Sequence, residues 1–188
     1  MSAKTVTCAD DQVVNWHSCS DVAPPERPKL WNWLVESGSL TTRVRARCET
    51  DFKLRIIRQV EEKVTAEIAP LLDVDAGAKA LLREVTLNCG ATPLIFARSI
   101  MPDTSVAGKN SWLTELGTRP LGDALFDVRD MRRSEFEIAL IHPKSELFTR
   151  IHKVTGVRYN EIWARRSVVH INQEPILICE CFLTDLLN

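Results

Sequence analysis

Residues 81–101 read LLREVTLNCGATPLIFARSIM, and the fold turns on how this stretch divides. Residues 81–88 alternate with the two-residue period of a strand. Cys89-Gly90-Ala91-Thr92-Pro93 is built of turn formers, and residues 94–101 form a second apolar run. Two such runs around a short Gly-containing turn predict a β-hairpin, and therefore antiparallel pairing. In the first strand Leu81, Arg83, Val85 and Leu87 share one face, against Leu82, Glu84, Thr86 and Asn88 on the other. The first set reads as the buried one, and it contains Arg83. On the returning strand Leu94, Phe96, Arg98 and Ile100 share a face, so Arg98 also stands among large apolar groups.

A second hairpin is expected near the C-terminus: residues 163–171, a turn at Asn172-Gln173-Glu174-Pro175, and residues 176–183. Ile176, Ile178, Glu180 and Phe182 share a face there, and Glu180 is the one charge in the run. Residues 54–64 and 136–141 read as further strands. Pro28 suits a first helical turn, followed by an apolar stretch that stops at Gly38. Ser39 is placed to cap a short helix over 40–47. Residues 111–126 are helical in parts, broken at Gly117-Thr118-Arg119-Pro120, and 142–160 form a long connection with some helical character. Strands and helices do not alternate regularly, so a doubly wound parallel sheet is not expected. The pattern predicts an α+β fold, with an antiparallel sheet of about six strands and short helices on one side. Residues 1–27 read as a loosely structured segment, ending near Pro24, Pro25 and Pro28, and 28–188 as one domain.

The chain has 188 residues, 45% hydrophobic and 26% charged, which fits one globular core. Its formal net charge of -1, from 24 basic and 25 acidic side chains, leaves no cation surplus for nucleic-acid phosphates. No apolar run approaches the ~18 residues of a membrane helix. The first residues lack the apolar stretch of a secretory signal, so a cytoplasmic location is expected. The six cysteines form no C-x-x-C pair; Cys179 and Cys181 lie two apart in an apolar run and read as buried neutral thiols. The histidines His17, His142, His152 and His170 show no metal-binding spacing, and no cofactor or metal is expected.

Three strands thus each carry one ionic side chain among hydrophobes. A buried charge is costly unless paired or hydrogen-bonded. A structural pair of Glu180 with one arginine would leave the other arginine unexplained. A surplus guanidinium in an apolar cavity suits an anion, since its planar fork binds a carboxylate with two bonds. A carboxylate in the same cavity is a candidate general acid or base. The expected occupant is a small, largely apolar anion.

Six stretches carry a family resemblance: Leu82-Arg83-Glu84-Val85-Thr86-Leu87; Ala97-Arg98-Ser99-Ile100-Met101-Pro102; Leu116-Gly117-Thr118-Arg119-Pro120-Leu121-Gly122 with Leu125-Phe126; Phe136-Glu137-Ile138; Trp163-Ala164-Arg165-Arg166-Ser167; and residues 175–183. In this order, over 28–187, they resemble the chorismate pyruvate-lyase (4-hydroxybenzoate synthase) family. The resemblance implies a cofactor-free, monomeric carbon–oxygen lyase that converts chorismate to 4-hydroxybenzoate and pyruvate at the start of ubiquinone biosynthesis. It also implies helical flaps over an enclosed site. Carried over by position, Arg83 would bind the ring carboxylate and the Leu121 backbone N–H would support it. Glu180 would lie near the ring hydroxyl as the acid/base or hydroxyl-orienting group. Arg98 would match a second buried arginine, suited to the enolpyruvyl carboxylate or a neighbouring anion pocket. Leu40 stands in Ser39-Leu40-Thr41, where the family has a methionine, and that segment is expected to close the site. Residues 142–160 form a longer connection than is familiar, which predicts extra helix or loop at the rim.

Other features have plainer readings. Trp31 and Trp33 read as packing anchors. Arg165 and Arg166 fall on opposite faces of a strand, one expected at the solvent and the other paired with an acid. Arg43, Arg45 and Arg47 read as a solvated cluster beside the lid. The rival to an enzyme is a binding or sensing module for an aryl carboxylate, because the effector domains of GntR-type regulators resemble the same fold. Such regulators carry a helix-turn-helix domain, for which the residues before the first predicted helix are too few. A lyase acting on a modified chorismate is the second rival.

Overall fold

The computed structural model describes residues 5–6, 14–22, 28–48, 51–183 and 186. Short strands β1 (Thr5–Val6), β2 (Val14–Asn15) and β3 (His17–Ser18) precede helices α1 (Pro28–Leu34) and α2 (Leu40–Cys48). The long strands β4 (Phe52–Lys63), β5 (Lys79–Cys89) and β6 (Thr92–Pro102) follow. Then come α3 (Leu121–Phe126), a short β7 (Met131–Arg133), β8 (Glu137–Ile141) and α4 (Glu146–Thr155). The chain returns through β9 (Ile162–Ile171) and β10 (Glu174–Phe182).

The main sheet runs β3-β8-β9-β10-β6-β5-β4, with β7 pairing β9. Its pairings are antiparallel throughout. The α+β class expected from the sequence is the one found: β4, β5, β6, β8, β9 and β10 carry the sheet, and β3 and β7 are short additions. The β9–β10 turn is closed by Asn172 and Gln173, both at positive φ (51° and 74°). That primed geometry matches the natural twist of the strands.

Helices α1 and α2 bury Leu30, Leu34, Leu40 and Val44 against Leu87, Ile95 and Phe182. α3 buries Leu121, Ala124 and Leu125 against Val169, Ile176 and Ile178. These three helices occupy one face of the sheet, as predicted. Helix α4, inside the long 142–160 connection, takes the other face and sets Leu147, Phe148 and Ile151 against Phe96, Ala164 and Cys181. Its start is fixed by the Ser145 side chain, which accepts from the Phe148 N–H, and its end by Gly156 in the left-handed region. Helices therefore lie on both faces, because this connection has an apolar stripe of its own to bury.

The N-terminal segment also departs from expectation where it is described. Val14 and Trp16 are buried, and β3 extends the sheet beside β8. Trp16 lies against the Arg166 guanidinium, 4.6 Å from its ring centre. The prolines Pro24 and Pro25, and Cys8, fall outside the described residues. Cys48, Cys179 and Cys181 are buried free thiols. No described helix is long and apolar enough to cross a membrane.

Candidate active site

Residues directly opposed across antiparallel strands share a face. One row across the sheet is Val85, Ala97, Glu180, Arg165 and Ile138; the next is Arg83, Ser99, Ile178 and Ser167. Both rows face α1, α2 and α3. A cavity of about 120 Å³ lies between them, lined by Arg83, Arg133, Arg165 and Glu180 among apolar side chains that include Leu40 and Leu121.

Each charge has a distinct environment. Arg165 is 2% exposed, and its Nε donates to Glu180 Oε2 at 2.6 Å. Its Nη1 donates to the carbonyls of Trp33, Leu34 and Glu36, at 3.3, 3.3 and 2.6 Å. The end of α1 leaves carbonyls without helical donors, and this buried cation satisfies them. Phe136 and Phe182 flank the guanidinium at 4.2 and 5.6 Å. Arg165 thus engages Glu180 through Nε and three carbonyls through Nη1, and it fixes Glu180 by one oxygen. The other, Oε1, has no partner among the described residues, and the Glu180 side chain keeps 16% exposure.

Arg83 is also 2% exposed, yet it has no carboxylate partner among the described residues. It donates to Gln59 Oε1 at 3.2 Å and to the carbonyls of Gly117 and Arg119 at 3.0 and 3.2 Å. Gly117 adopts φ +52°, which turns the 117–120 loop over Arg83. Burial pushes the guanidinium below its ordinary range, as expected of a cation without a counter-charge. Arg133 is the residue sequence reasoning missed. It donates from Nη1 to Ser167 Oγ at 2.7 Å, lies over Phe136 at 5.4 Å, and has no acidic partner among the described residues. It sits on a three-residue strand, too short for a periodic signal, within the charge-rich run Arg129–Arg133. Only the tertiary pairing of β7 with β9 brings it to the cavity.

Arg98 lies elsewhere. The expectation that it converges with Arg83 is corrected by one extra residue in the hairpin. Next to the turn, Cys89 faces Thr92 and Asn88 faces Pro93, a register that would set Arg83 opposite Arg98. A bulge at Leu94 shifts the pairing, so Leu87 faces Ile95, Arg83 faces Ser99 and Arg98 faces Glu84. Glu84, read from the sequence as lying on the outer face, is fully buried. One of its oxygens accepts from Arg98 at 2.7 Å and the other from Arg150 of α4 at 2.7 Å. Arg98 lines a separate cavity of about 220 Å³ on the α4 face. Arg166 lies on that face too. It is buried rather than solvated, and its Nε donates to Glu137 Oε2 at 2.8 Å.

The helices over the cavity meet closely. A Cβ placed on Gly122 of α3 would lie 3.3 Å from Thr41 Oγ1 of α2. Arg45 of α2 pairs with Asp123 of α3 at 2.8 Å, on the outer side. Leu40 and Leu121, both expected at the site, form apolar walls at the starts of α2 and α3. The Leu121 N–H belongs to the first helical turn, whose amides have no intrahelical acceptor. Trp33 is a buried anchor, as read, and Arg43 covers its ring at 4.0 Å. No cluster of metal-ligating side chains occurs among the described residues. Among the cavity-lining groups, three guanidiniums face one carboxylate. That surplus suits an anion bearing two negative charges, in a chamber walled largely by apolar side chains.

Comparison with known proteins gives a consistent result. The family profile described as "Chorismate lyase" matches residues 11–187. A protein named "Probable chorismate pyruvate-lyase" from Methylococcus capsulatus is 38% identical over 162 residues, covering 84% of this chain and 96% of its own length. Proteins of the same name from Nitrosomonas europaea and Nitrosospira multiformis are 33% and 30% identical, covering 89% and 94% of this chain and 92% and 97% of their own lengths. Among solved structures, the effector domain of PhnF from Mycobacterium smegmatis aligns with a TM-score of 0.58 at 15% identity, covering 79% of this chain and 90% of that one. The ligand-binding domain of a GntR-family regulator from Bordetella bronchiseptica aligns at 0.54 and 20%, covering 73% and 87%. At these identities the structural likeness speaks to fold alone.

Proposed function

Given that the chain belongs to the chorismate lyase family and is a lyase, we propose that it eliminates enolpyruvate from chorismate in the cavity beneath α1, α2 and α3. The products are 4-hydroxybenzoate, which would feed ubiquinone biosynthesis, and pyruvate. The carrying observation is Arg83: a guanidinium 2% exposed, with carbonyl partners only, in a cavity shared with Glu180.

In this elimination the C4–H bond gives up its proton and the C3–O ether bond breaks toward the enolpyruvyl oxygen. The electron pair left at C4 completes the aromatic ring. The methylene carbon of the released enolpyruvate gains a proton, giving pyruvate, so nothing is oxidised or reduced and no co-reactant is consumed. Aromatisation supplies the driving force, and the protein has to orient the substrate and assist the proton transfer. Arg83, with the Leu121 N–H, binds the ring carboxylate. Its Cα and that of Glu180 are on the order of 12 Å apart, from two strand spacings across and two residues along. Their side chains then reach inward from either end of one ring. Glu180 works at the hydroxyl end through Oε1, while Arg165 holds Oε2. The closed walls at Leu40 and Leu121 keep water from the reacting bonds.

The test is turnover in buffer containing EDTA and no added cofactor. 4-Hydroxybenzoate, followed by absorbance, and pyruvate, followed by a coupled assay, should appear in equal amounts. Absence of both products with tight binding of 4-hydroxybenzoate would instead support a non-catalytic aryl-carboxylate binding domain.

A further inference from the structure

Chorismate carries a second carboxylate, on the enolpyruvyl group, and its anchor is left open by the assignments above. Arg98 lies on the opposite face of the sheet, paired with Glu84. Arg165 is committed to Glu180 and three carbonyls. Among the described cavity-lining residues this leaves Arg133.

We propose that Arg133 binds the enolpyruvyl carboxylate and is the residue that distinguishes substrate from product, an inference that rests on the proposed lyase reading. The Ser167 hydroxyl holds Arg133 Nη1 at 2.7 Å, and the Phe136 ring lies under its guanidinium. Both contacts fix the orientation of the fork, and its other donors have no acidic partner among the described residues. Ser167 lies in the same row as Arg83, three strands away, which is about 14 Å between Cα atoms. Arg83 and Arg133 therefore approach from opposite sides, and Glu180 stands between them on β10. The arrangement fits a ring whose two carboxylates diverge, with the scissile ether nearer the Arg133 side. Burial lowers the Arg133 pKa, while nearby Glu180 acts to raise it and Arg165 to lower it, consistent with a common chamber. Once the ether is cut, 4-hydroxybenzoate has no group for Arg133. The charge that helps hold the substrate then contributes nothing to retaining this product.

The experiment compares KM for chorismate with the inhibition constant of 4-hydroxybenzoate in the wild type, Arg133→Met and Ser167→Ala. Loss of a charge-assisted bond predicts a KM increase of roughly 10- to 100-fold in Arg133→Met, with product affinity unchanged within about twofold. Arg133→Lys should recover part of the loss. Ser167→Ala, which keeps the charge and frees the fork, should raise KM roughly two- to fivefold. It carries the test if Arg133→Met does not fold. An unchanged KM, or a parallel loss of substrate and product affinity, would overturn the assignment of Arg133 alone. Absence of wild-type turnover would overturn the lyase reading and this inference with it.

Discussion

Replacing Glu84 with Gln separates the two faces of the sheet. Glu84 is fully buried, and its two oxygens each take a paired contact: Arg98 at 3.1 and 2.7 Å, and Arg150 at 3.0 and 2.7 Å. Glutamine keeps the shape, removes the charge and leaves two guanidiniums side by side. Breaking a buried ion pair costs about 3–5 kcal/mol. Arg98 and Arg150 retain 22% and 25% side-chain exposure and can turn toward water, which favours the lower figure. A loss of about 3 kcal/mol in a chain of this length lowers Tm by roughly 6–12 °C. The pH dependence carries a second sign. Burial acts to raise the Glu84 pKa, but the bonds and charges of Arg150 and Arg98 outweigh it, and the net shift is downward. A depressed folded-state pKa gives stability that is fully present above the unfolded value, about 4.3, and lost as pH falls through the folded one. Urea unfolding should therefore show wild-type stability rising with pH through the acid range, with part of that slope gone in Glu84→Gln. KM for chorismate should stay within about twofold, because the cavity is on the other face. A Tm loss below about 2 °C, or a raised KM at unchanged stability, would refute the separation and return Arg98 to the site.

Three substitutions probe the cavity itself. Glu180→Gln should lower kcat by roughly 10²- to 10⁴-fold while 4-hydroxybenzoate still binds, checked by steady-state kinetics and calorimetry. Arg83→Met should weaken chorismate and 4-hydroxybenzoate together, by roughly 10- to 100-fold, since both carry the ring carboxylate. A change confined to chorismate would exchange the roles of Arg83 and Arg133. Gly122→Ala places a methyl 3.3 Å from Thr41 Oγ1 and should loosen the α2–α3 closure. Product dissociation should then speed up a few-fold in stopped-flow, and Thr41→Ala in the same chain should restore it.

The positions of the strands were readable because both hairpins have strong local signals: alternation in 81–88, turn formers at 89–93, and Asn172-Gln173 before β10. The face of each residue within its own strand was readable for the same reason. The relation between strands was not. It depends on Leu94, one residue whose extra place in β6 moves Arg98 from Arg83 to Glu84. Nothing in Pro93-Leu94-Ile95 signals a bulge, because all three side chains are buried and any register among them buries apolar surface. Arg150 was hidden for another reason: it sits in the long 142–160 connection, and only the docking of α4 delivers a second cation to Glu84. Glu180 and Arg83 were legible because each is the lone charge on a face that is otherwise apolar.

Buried charge alone does not mark a ligand site in this fold, since both faces of the sheet contain it. On the α4 face, Arg98 and Arg150 share Glu84, and Arg166 holds Glu137. Arg98 and Arg150 both still reach water. On the other face, Arg83 is cut off from water, and among the described residues it has no acidic partner and rests on carbonyl dipoles. Carbonyls solvate a guanidinium but do not neutralise it, so the field remains available to an incoming anion. The unneutralised charge is stabilised fully only when a carboxylate enters. On the proposed function the cavity is built for its occupied state, and Arg83→Met should shrink the thermal shift that 4-hydroxybenzoate gives the wild type, by the amount that a roughly 10- to 100-fold weaker affinity dictates; an unchanged shift would refute the role of Arg83.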